Sequence, residues 1–166
     1  MKILMKCLKK NGHPGIMHCY SGSVEMAKRF IDLGFYISLA GPVTFKNARV
    51  PKDVAEKIGL EHLLIETDCP YLTPHPYRGT LNEPANVVYI AQEIAKLKNM
   101  EIESVASQTT FNAKKVFGIK IGGKLMKTIK QIISDADPRL KGVLVIMVVY
   151  VMVMATTVTS GDNTRK

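Results

Sequence analysis

The feature that most constrains this chain is an uninterrupted apolar run, 63–65, which ends at the carboxylates of Glu66 and Asp68 and then at Pro70 and Pro74. Branched apolar residues without polar alternation are typical of a strand that is covered on both faces, as in a parallel sheet. The two prolines prevent the run from continuing as a helix or as a central strand. The sequence therefore predicts a short buried parallel strand with Asp68 at its C-terminal end.

Asp68 then occupies the position where α/β proteins place their functional groups. In barrels and in open α/β sheets, the binding site opens at the C-terminal ends of the strands. A carboxylate there is placed for ligand binding or for proton transfer. An aspartate before proline also suits a turn or a helix cap, and this segment by itself leaves both interpretations open.

Alternating short strands and helices fill most of the first 118 residues. The pattern predicts strands at 16–20, 35–39 and 63–65, and helices at 24–33, 51–58, 84–98 and 103–117. Ser23 is the predicted cap of the first helix, and Gly34 its end. This order requires a mostly parallel sheet with right-handed crossovers, in which His18 ends the first strand. Three strands cannot close a barrel, so we expect an incomplete α/β fold whose sheet leaves an apolar face exposed or covered by the C-terminal tail.

The last part of the chain differs in composition from the rest. The net charge of the protein is +9, and more than half of this excess lies after residue 118. We divide the region into a basic linker, 119–141, an uncharged apolar segment, 142–158, and a polar tail, 159–166. The apolar segment is at the lower limit for a transmembrane or signal-anchor helix, and the lysines before it would keep its N-terminal side in the cytoplasm. There are two alternatives for this region. The apolar segment is a buried or aggregation-prone strand, or the tail is a fused piece of a separate exported or membrane-anchored protein.

The cysteines indicate a reducing compartment. Cys7, Cys19 and Cys69 are odd in number, and no two of them are spaced as a C-x-x-C pair. Such spacing is not that of a disulfide framework, so we interpret them as free thiols. The prediction is a cytoplasmic location for residues 1–118, with a membrane as a candidate partner of 142–158.

Several short segments occur together in a specific order. They are Gly15-Ile16-Met17-His18-Cys19-Tyr20-Ser21-Gly22, Ile65-Glu66-Thr67-Asp68-Cys69-Pro70-Tyr71-Leu72, Arg78-Gly79 with Asn82-Glu83-Pro84, and Thr109-Thr110-Phe111-Asn112-Ala113 with Val116-Phe117-Gly118. Together they resemble the C-terminal half of the TatD family of metal-dependent deoxyribonucleases, over about residues 15–118.

The resemblance implies a fold and a chemistry. The fold is a TIM-type (β/α) barrel of the metal-dependent hydrolase kind, of which this chain has the C-terminal part, followed by an added apolar helix. The activity is hydrolysis of phosphodiester bonds in DNA with two divalent cations, Mg²⁺, Mn²⁺ or Zn²⁺. By the matching motifs, His18 is similar to the metal ligand after the sixth strand of the family's barrel. Asp68 is similar to the ligand after the eighth strand, where the family's aspartate also handles the proton of the attacking water.

The residue types agree with this chemistry. A neutral imidazole binds a borderline divalent cation, and a carboxylate can bind one while it accepts a hydrogen bond from water. Paired metals activate water and neutralise charge on phosphoryl oxygens, which are the two requirements of phosphodiester cleavage.

Four further residues are candidates for outer-shell or substrate-binding roles. Glu66 precedes Asp68 by two positions, so on a strand both side chains point to the same side, and Glu66 can support the site. Arg78 can meet a phosphate or cap a carbonyl. Asn82 and Glu83 belong to the matching motif, but they also suit the start of the long helix.

The family also supplies a His-x-His pair, a glutamate and a further histidine from earlier strands, and these motifs are not in this sequence. Two of six ligands remain, so we expect a weak metal site, no activity of this chain alone, and the missing N-terminal half of the barrel as a required partner. A membrane-anchored non-catalytic module, and another metal-dependent hydrolase of the same barrel superfamily, are the competing hypotheses.

Overall fold

The computed structural model describes residues 14–119. The predicted linker beyond Ile119, the apolar segment 142–158 and the polar tail lie outside these residues, as does Cys7. Within the described part, the strands are β1 (Ile16–Met17), β2 (Tyr36–Leu39) and β3 (Leu63–Ile65). The α-helices are α1 (Val24–Asp32), α2 (Arg49–Lys57), α3 (Val87–Lys98) and α4 (Ile102–Phe117), and short 3-10 helices cover Gly41–Thr44, Leu60–His62 and Pro84–Asn86.

The three strands form one parallel sheet in the order β1-β2-β3. Ile16 pairs with Tyr36, and Ile37 pairs with Leu63. The predicted α/β class and the parallel arrangement are therefore confirmed for this part of the chain. All three strands end at the same edge of the sheet, which is the edge where we expect the site.

The central strand is buried on both faces. Ile37 and Leu39 are 0% and 1% exposed, and they pack among the helices. Tyr36 and Ser38 point to the opposite face by the alternation of a strand, and both are also buried. The first of the two expected alternatives, an exposed apolar face, therefore does not hold for β2, and the second, cover by the C-terminal tail, lies outside the described residues. The helix side of the core includes Ala27, Val54, Ala55, Ile58, Leu63, Val87, Ile90, Ile94 and Val105.

The helix ends follow local sequence signals. The hydroxyl of Ser23 accepts a hydrogen bond from the backbone N–H of Met26 at 3.3 Å, which confirms the predicted N-cap of α1. Gly34 adopts a positive φ of 86° just after α1, a conformation that glycine takes without strain. Gly118 ends α4 in the same left-handed region.

Two of the differences from the sequence-based prediction, in β1 and in α2, have a local cause. β1 stops at Met17 and not at Tyr20, because the chain leaves the regular ladder at His18. α2 begins at Arg49, before Pro51. A proline is tolerated throughout the first turn of a helix, where the backbone N–H has no helical partner, so Pro51 does not mark the first residue.

None of the helices within residues 14–119 combines the length and the apolar character needed to cross a membrane. The apolar segment 142–158 lies outside that range, so its membrane role stays a prediction.

Candidate metal site

His18 and Asp68 meet at the C-terminal edge of the sheet. His18 directly follows β1, and Asp68 lies three residues beyond the end of β3. Nε2 of His18 is 3.9 Å from Oδ1 of Asp68, with the two side chains 65% and 33% exposed. The parallel arrangement of the strands thus brings together the two residues predicted as metal ligands, at a place that solvent reaches.

Glu66 contacts the ends of the other two strands. Its Oε1 accepts a hydrogen bond from the backbone N–H of Cys19 at 2.8 Å. Its Oε2 accepts one from the hydroxyl of Ser38 at 2.7 Å and lies 3.3 Å from Nε2 of His18. The carboxylate of Glu66, which directly follows β3, therefore contacts groups from the segment after β1 and from β2.

These contacts cross the whole sheet. Neighbouring strands lie about 4.8 Å apart, so the backbones of β1 and β3 are separated by roughly 10 Å with β2 between them. The side chains of His18, Glu66 and Asp68 span this distance above Ser38. Ser38 was not among the residues predicted for the site. Its signal in the sequence is a hydroxyl residue between Ile37 and Leu39 in an otherwise apolar strand.

Asn82 lies inside the loop that follows Asp68. Its Nδ2 donates to the carbonyl oxygens of Thr67 and Tyr71, both at 2.6 Å. Its Oδ1 accepts from the backbone N–H of Glu83 at 2.9 Å and from Nδ2 of Asn86 at 3.0 Å. The side chain is 4% exposed, and its amide is fully engaged in holding the backbone on both sides of Asp68. Glu83 is exposed and makes no capping hydrogen bond through its side chain.

Arg78 lies on the same loop and faces solvent. Its guanidinium carbon is 4.2 Å from the centre of the Phe45 ring, a cation–π arrangement. The backbone N–H of His75 donates to Oγ1 of Thr44 at 2.8 Å, which joins this loop to the segment after β2. The Arg78 guanidinium forms no ion pair with any residue between 14 and 119.

The acids give the site a negative potential. The pKa of the Cys19 thiol is raised, first by burial and then by the charges of Asp68 and Glu66. Each of these effects disfavours a further negative charge, so this thiol stays protonated at neutral pH. The same two carboxylates favour a cation. Cys19 and Cys69 are both free thiols, as predicted.

The imidazole of His18 and the carboxylate of Asp68 are types of ligand that bind divalent cations. Two ligands that share a tetrahedral ion at about 2.1 Å each lie about 3.4 Å apart, and Nε2 of His18 lies 3.9 Å from Oδ1 of Asp68, somewhat farther than that. Within the described part of the chain, no group of three or more His, Cys, Asp or Glu side chains could hold a metal ion. Catalytic zinc sites in enzymes have three protein ligands, so His18 and Asp68 alone are fewer than such a site uses.

A shallow groove lies away from this site. It has a volume of about 370 Å³ and is lined by Thr44, His75, Pro76, Tyr89, Gln92, Glu93 and Lys96. None of the predicted site residues is among them.

A comparison of the sequence with known protein families matches the part of the chain that contains the candidate site. The sequence pattern described as TatD related DNase matches residues 1–118, which includes His18, Glu66 and Asp68. The chain belongs to the TatD-related DNase family. The resemblance predicted from the sequence motifs is thereby confirmed.

The relatives of this TatD-family chain are longer proteins. The uncharacterized metal-dependent hydrolase YabD of Bacillus subtilis is 57% identical over 105 residues, which are 63% of this chain and 41% of that protein. The uncharacterized metal-dependent hydrolase YcfH of Escherichia coli is 46% identical over 105 residues, 63% of this chain and 40% of that protein. The corresponding Mycobacterium tuberculosis protein, TatD, is 41% identical over 118 residues, 70% of this chain and 45% of that protein. This chain spans less than half the length of these relatives.

Solved structures of the family share the fold of this TatD-family chain. The crystal structure of the TatD homologue YjjV from Escherichia coli has a TM-score of 0.64 and 28% sequence identity, and it covers 72% of this chain and 47% of its own. The crystal structure of a TatD-family hydrolase from Entamoeba histolytica has a TM-score of 0.60 and 24% sequence identity. The match covers 69% of this chain and 46% of that chain, and it supports the fold alone.

Proposed function

We propose that this TatD-family chain carries the His18–Asp68 part of a metal-dependent phosphodiesterase that hydrolyses DNA. The observation that carries the proposal is the 3.9 Å separation between Nε2 of His18 and Oδ1 of Asp68 at the C-terminal edge of a parallel sheet. Membership of the TatD-related DNase family supports the choice of a phosphodiester in DNA as the substrate.

The roles follow from the donor atoms. His18 and Asp68 would hold a divalent cation, of which the family resemblance implies two, and a bound cation supplies an activated water and neutralises charge on the phosphoryl oxygens. Asp68 is one-third exposed, so water reaches its carboxylate, which can accept a proton from the attacking water. Its carboxylate is thus both a ligand and the proton acceptor.

Arg78 is the proposed phosphate-binding residue. Its guanidinium lies over the ring of Phe45, and the residue is exposed to solvent. An arginine held in this way presents a planar set of donors that matches phosphate oxygens. A single strand of DNA that enters the site would place a backbone phosphate there.

Completion of the barrel is part of the proposal. The described residues provide two ligands, and metal catalysis needs more. We expect the remaining ligands to come from a polypeptide that adds the other strands of a TIM-type barrel, whether that polypeptide belongs to the same chain in its natural form or to a second one.

The test is completion with a related fragment. The 166-residue chain is assayed for Mg²⁺- or Mn²⁺-stimulated cleavage of a single-stranded oligonucleotide, alone and mixed with the part of the Bacillus subtilis relative that lies outside the match. We expect no cleavage by the chain alone and EDTA-sensitive cleavage by the mixture. Asp68→Asn in the mixture should abolish cleavage, whereas Asp32→Asn, at the exposed end of α1, should not.

Two results would change the conclusion. Cleavage by the chain alone that survives Asp68→Asn would show that the site lies elsewhere. A mixture that hydrolyses bis(p-nitrophenyl) phosphate but no oligonucleotide would assign the chain to another metal-dependent hydrolase of the same superfamily.

A further inference from the structure

The ladder between β1 and β2 contains an extra residue beside the site. Continuing the register in which Met17 pairs with Ile37 would bring the backbone N–H of Cys19 to the carbonyl oxygen of Ser38. That oxygen instead accepts from the N–H of Tyr20, at 2.9 Å. Cys19 has a φ of 44°, in the left-handed region. One residue has been inserted into the strand, which is a β-bulge, and bulges next to active sites re-aim side chains.

The bulge leaves the N–H of Cys19 without its acceptor in the ladder. A buried N–H that loses its partner is destabilising, and a non-glycine residue rarely adopts a positive φ without a compensating contact. Oε1 of Glu66 accepts this N–H at 2.8 Å. The acceptor lies 47 positions away along the chain, on the continuation of β3.

We propose that Glu66 is a positioning residue, whose carboxylate holds the bulge at Cys19 and thereby aims the adjacent His18 at Asp68. Ser38 completes the arrangement, because its hydroxyl donates to the second carboxylate oxygen at 2.7 Å and fixes the carboxylate plane. His18 precedes the bulged residue directly, so the direction of its side chain depends on the backbone that Glu66 holds. The proposal rests on the proposed metal site for its functional consequence, but the bulge itself is independent of any metal.

The first test needs no metal. Amide hydrogen exchange is measured on the full 166-residue chain without added cations, for wild type, Glu66→Leu and Glu66→Gln. We expect Glu66→Leu to speed exchange of the Cys19 amide by about 10-fold, the equivalent of one lost charge-assisted hydrogen bond. Glu66→Gln keeps a carbonyl oxygen of nearly the same reach and should retain most of the protection. The Tyr20 amide, bonded to Ser38, is the internal reference.

The second test reads the position of His18 through a cation. Co²⁺ is titrated into the same proteins and into Ser38→Ala, each mixed with the part of the Bacillus subtilis relative that lies outside the match, and its visible absorption is followed. Loss of a residue that orients a ligand typically costs 10–100-fold in metal affinity, so we expect about that loss in Glu66→Leu and a smaller one in Ser38→Ala. Glu61→Leu, which removes an exposed acid before β3, is the matched control and should bind Co²⁺ like wild type.

Each outcome is decisive. Unchanged Cys19 exchange in folded Glu66→Leu overturns the proposal, since the bulge would then stand without the carboxylate. Faster exchange with unchanged Co²⁺ affinity overturns the positioning role and leaves Glu66 as a structural residue. Absence of Co²⁺ binding by wild type argues against the proposed metal site, while the exchange result still decides whether Glu66 holds the bulge.

Discussion

Left-handed backbone is concentrated in the two loops that form the proposed site. Cys19, Asp68 and Leu72 have φ values of 44°, 56° and 52°. Non-glycine residues in this region are strained, and such residues persist where surrounding contacts hold them, often at functional sites. Glu66 provides such a contact for Cys19, and Asn82 provides one on each side of Asp68. The chemistry at single residues therefore depends on hydrogen bonds to the backbone as much as on the ligands themselves.

Asn82→Ala should reveal a structural role. The substitution leaves the carbonyl oxygens of Thr67 and Tyr71 without their donor, and a buried group that loses its partner costs about 1–3 kcal/mol. We expect the free energy of unfolding in urea to fall by at least about 2 kcal/mol. The exposed Asn47→Ala serves as the control. Unchanged stability combined with weaker oligonucleotide binding would instead indicate that Asn82 contacts substrate.

Arg78→Ala should weaken binding of single-stranded DNA by the same factor whatever the base sequence of the DNA. Removal of one phosphate contact lowers the slope of log affinity against log salt concentration by about 0.7 for a single strand. The measurement is a fluorescence-anisotropy titration of the completed protein at several salt concentrations. Arg78→Lys should not restore affinity fully, because a lysine lacks the planar set of donors that a guanidinium presents to phosphate oxygens. Arg29→Ala, in the last turn of α1, should leave the slope unchanged.

Among the helices, α1 should lose stabilisation in acid. The pKa of Glu25 is lowered from 4.5, chiefly by a hydrogen bond from its own backbone N–H and then by the Ser23 hydroxyl. A carboxyl with a lowered folded-state pKa stabilises the fold above its ordinary value, and this contribution disappears as the pH falls through the folded value. The difference in unfolding free energy between wild type and Glu25→Gln should therefore be present at pH 6 and decrease as the pH falls below 4.5, the ordinary pKa, through the lower folded-state pKa. A difference that is constant with pH would exclude this role.

The helices were more predictable than the site because their signals are local. Ser23 caps the start of α1, and Gly34 follows its end with a positive φ, as serine and glycine commonly do at these positions. The shortened β1 could not be foreseen, because the bulge at Cys19 depends on Glu66 at the far edge of the sheet. The role of Ser38 depends on the same contact. The proximity of His18 and Asp68 was predictable because both follow parallel strands, whereas their roles as metal ligands come from the family resemblance and stay a prediction.

At the scale of the whole molecule, β2 is the central strand of the sheet, and both of its faces are buried. Ile37 is fully buried at the centre of the core. Truncation of a buried isoleucine to alanine costs about 2–5 kcal/mol, because it removes apolar contacts and leaves a cavity. Ile37→Ala should therefore lower the free energy of unfolding by that amount, measured by urea denaturation. Val50→Ala, at a 42% exposed position, should change it by less than about 0.5 kcal/mol.

The last described helix also holds the strand that leads to Asp68. Nδ2 of Asn112, on α4, donates to the carbonyl oxygens of Leu60 and Leu63, at 2.9 and 2.7 Å, across 52 and 49 positions of the chain. A ribosome adds about 5–20 residues per second, so roughly 2–10 s separate the synthesis of β3 from the synthesis of the residue that secures it. During that interval the start of β3 lacks these two bonds, and the edge that carries the proposed ligands is not yet fixed. Nascent chains halted before Asn112 should accordingly leave β3 sensitive to protease, and chains extended far enough that α4 has left the ribosome should protect it.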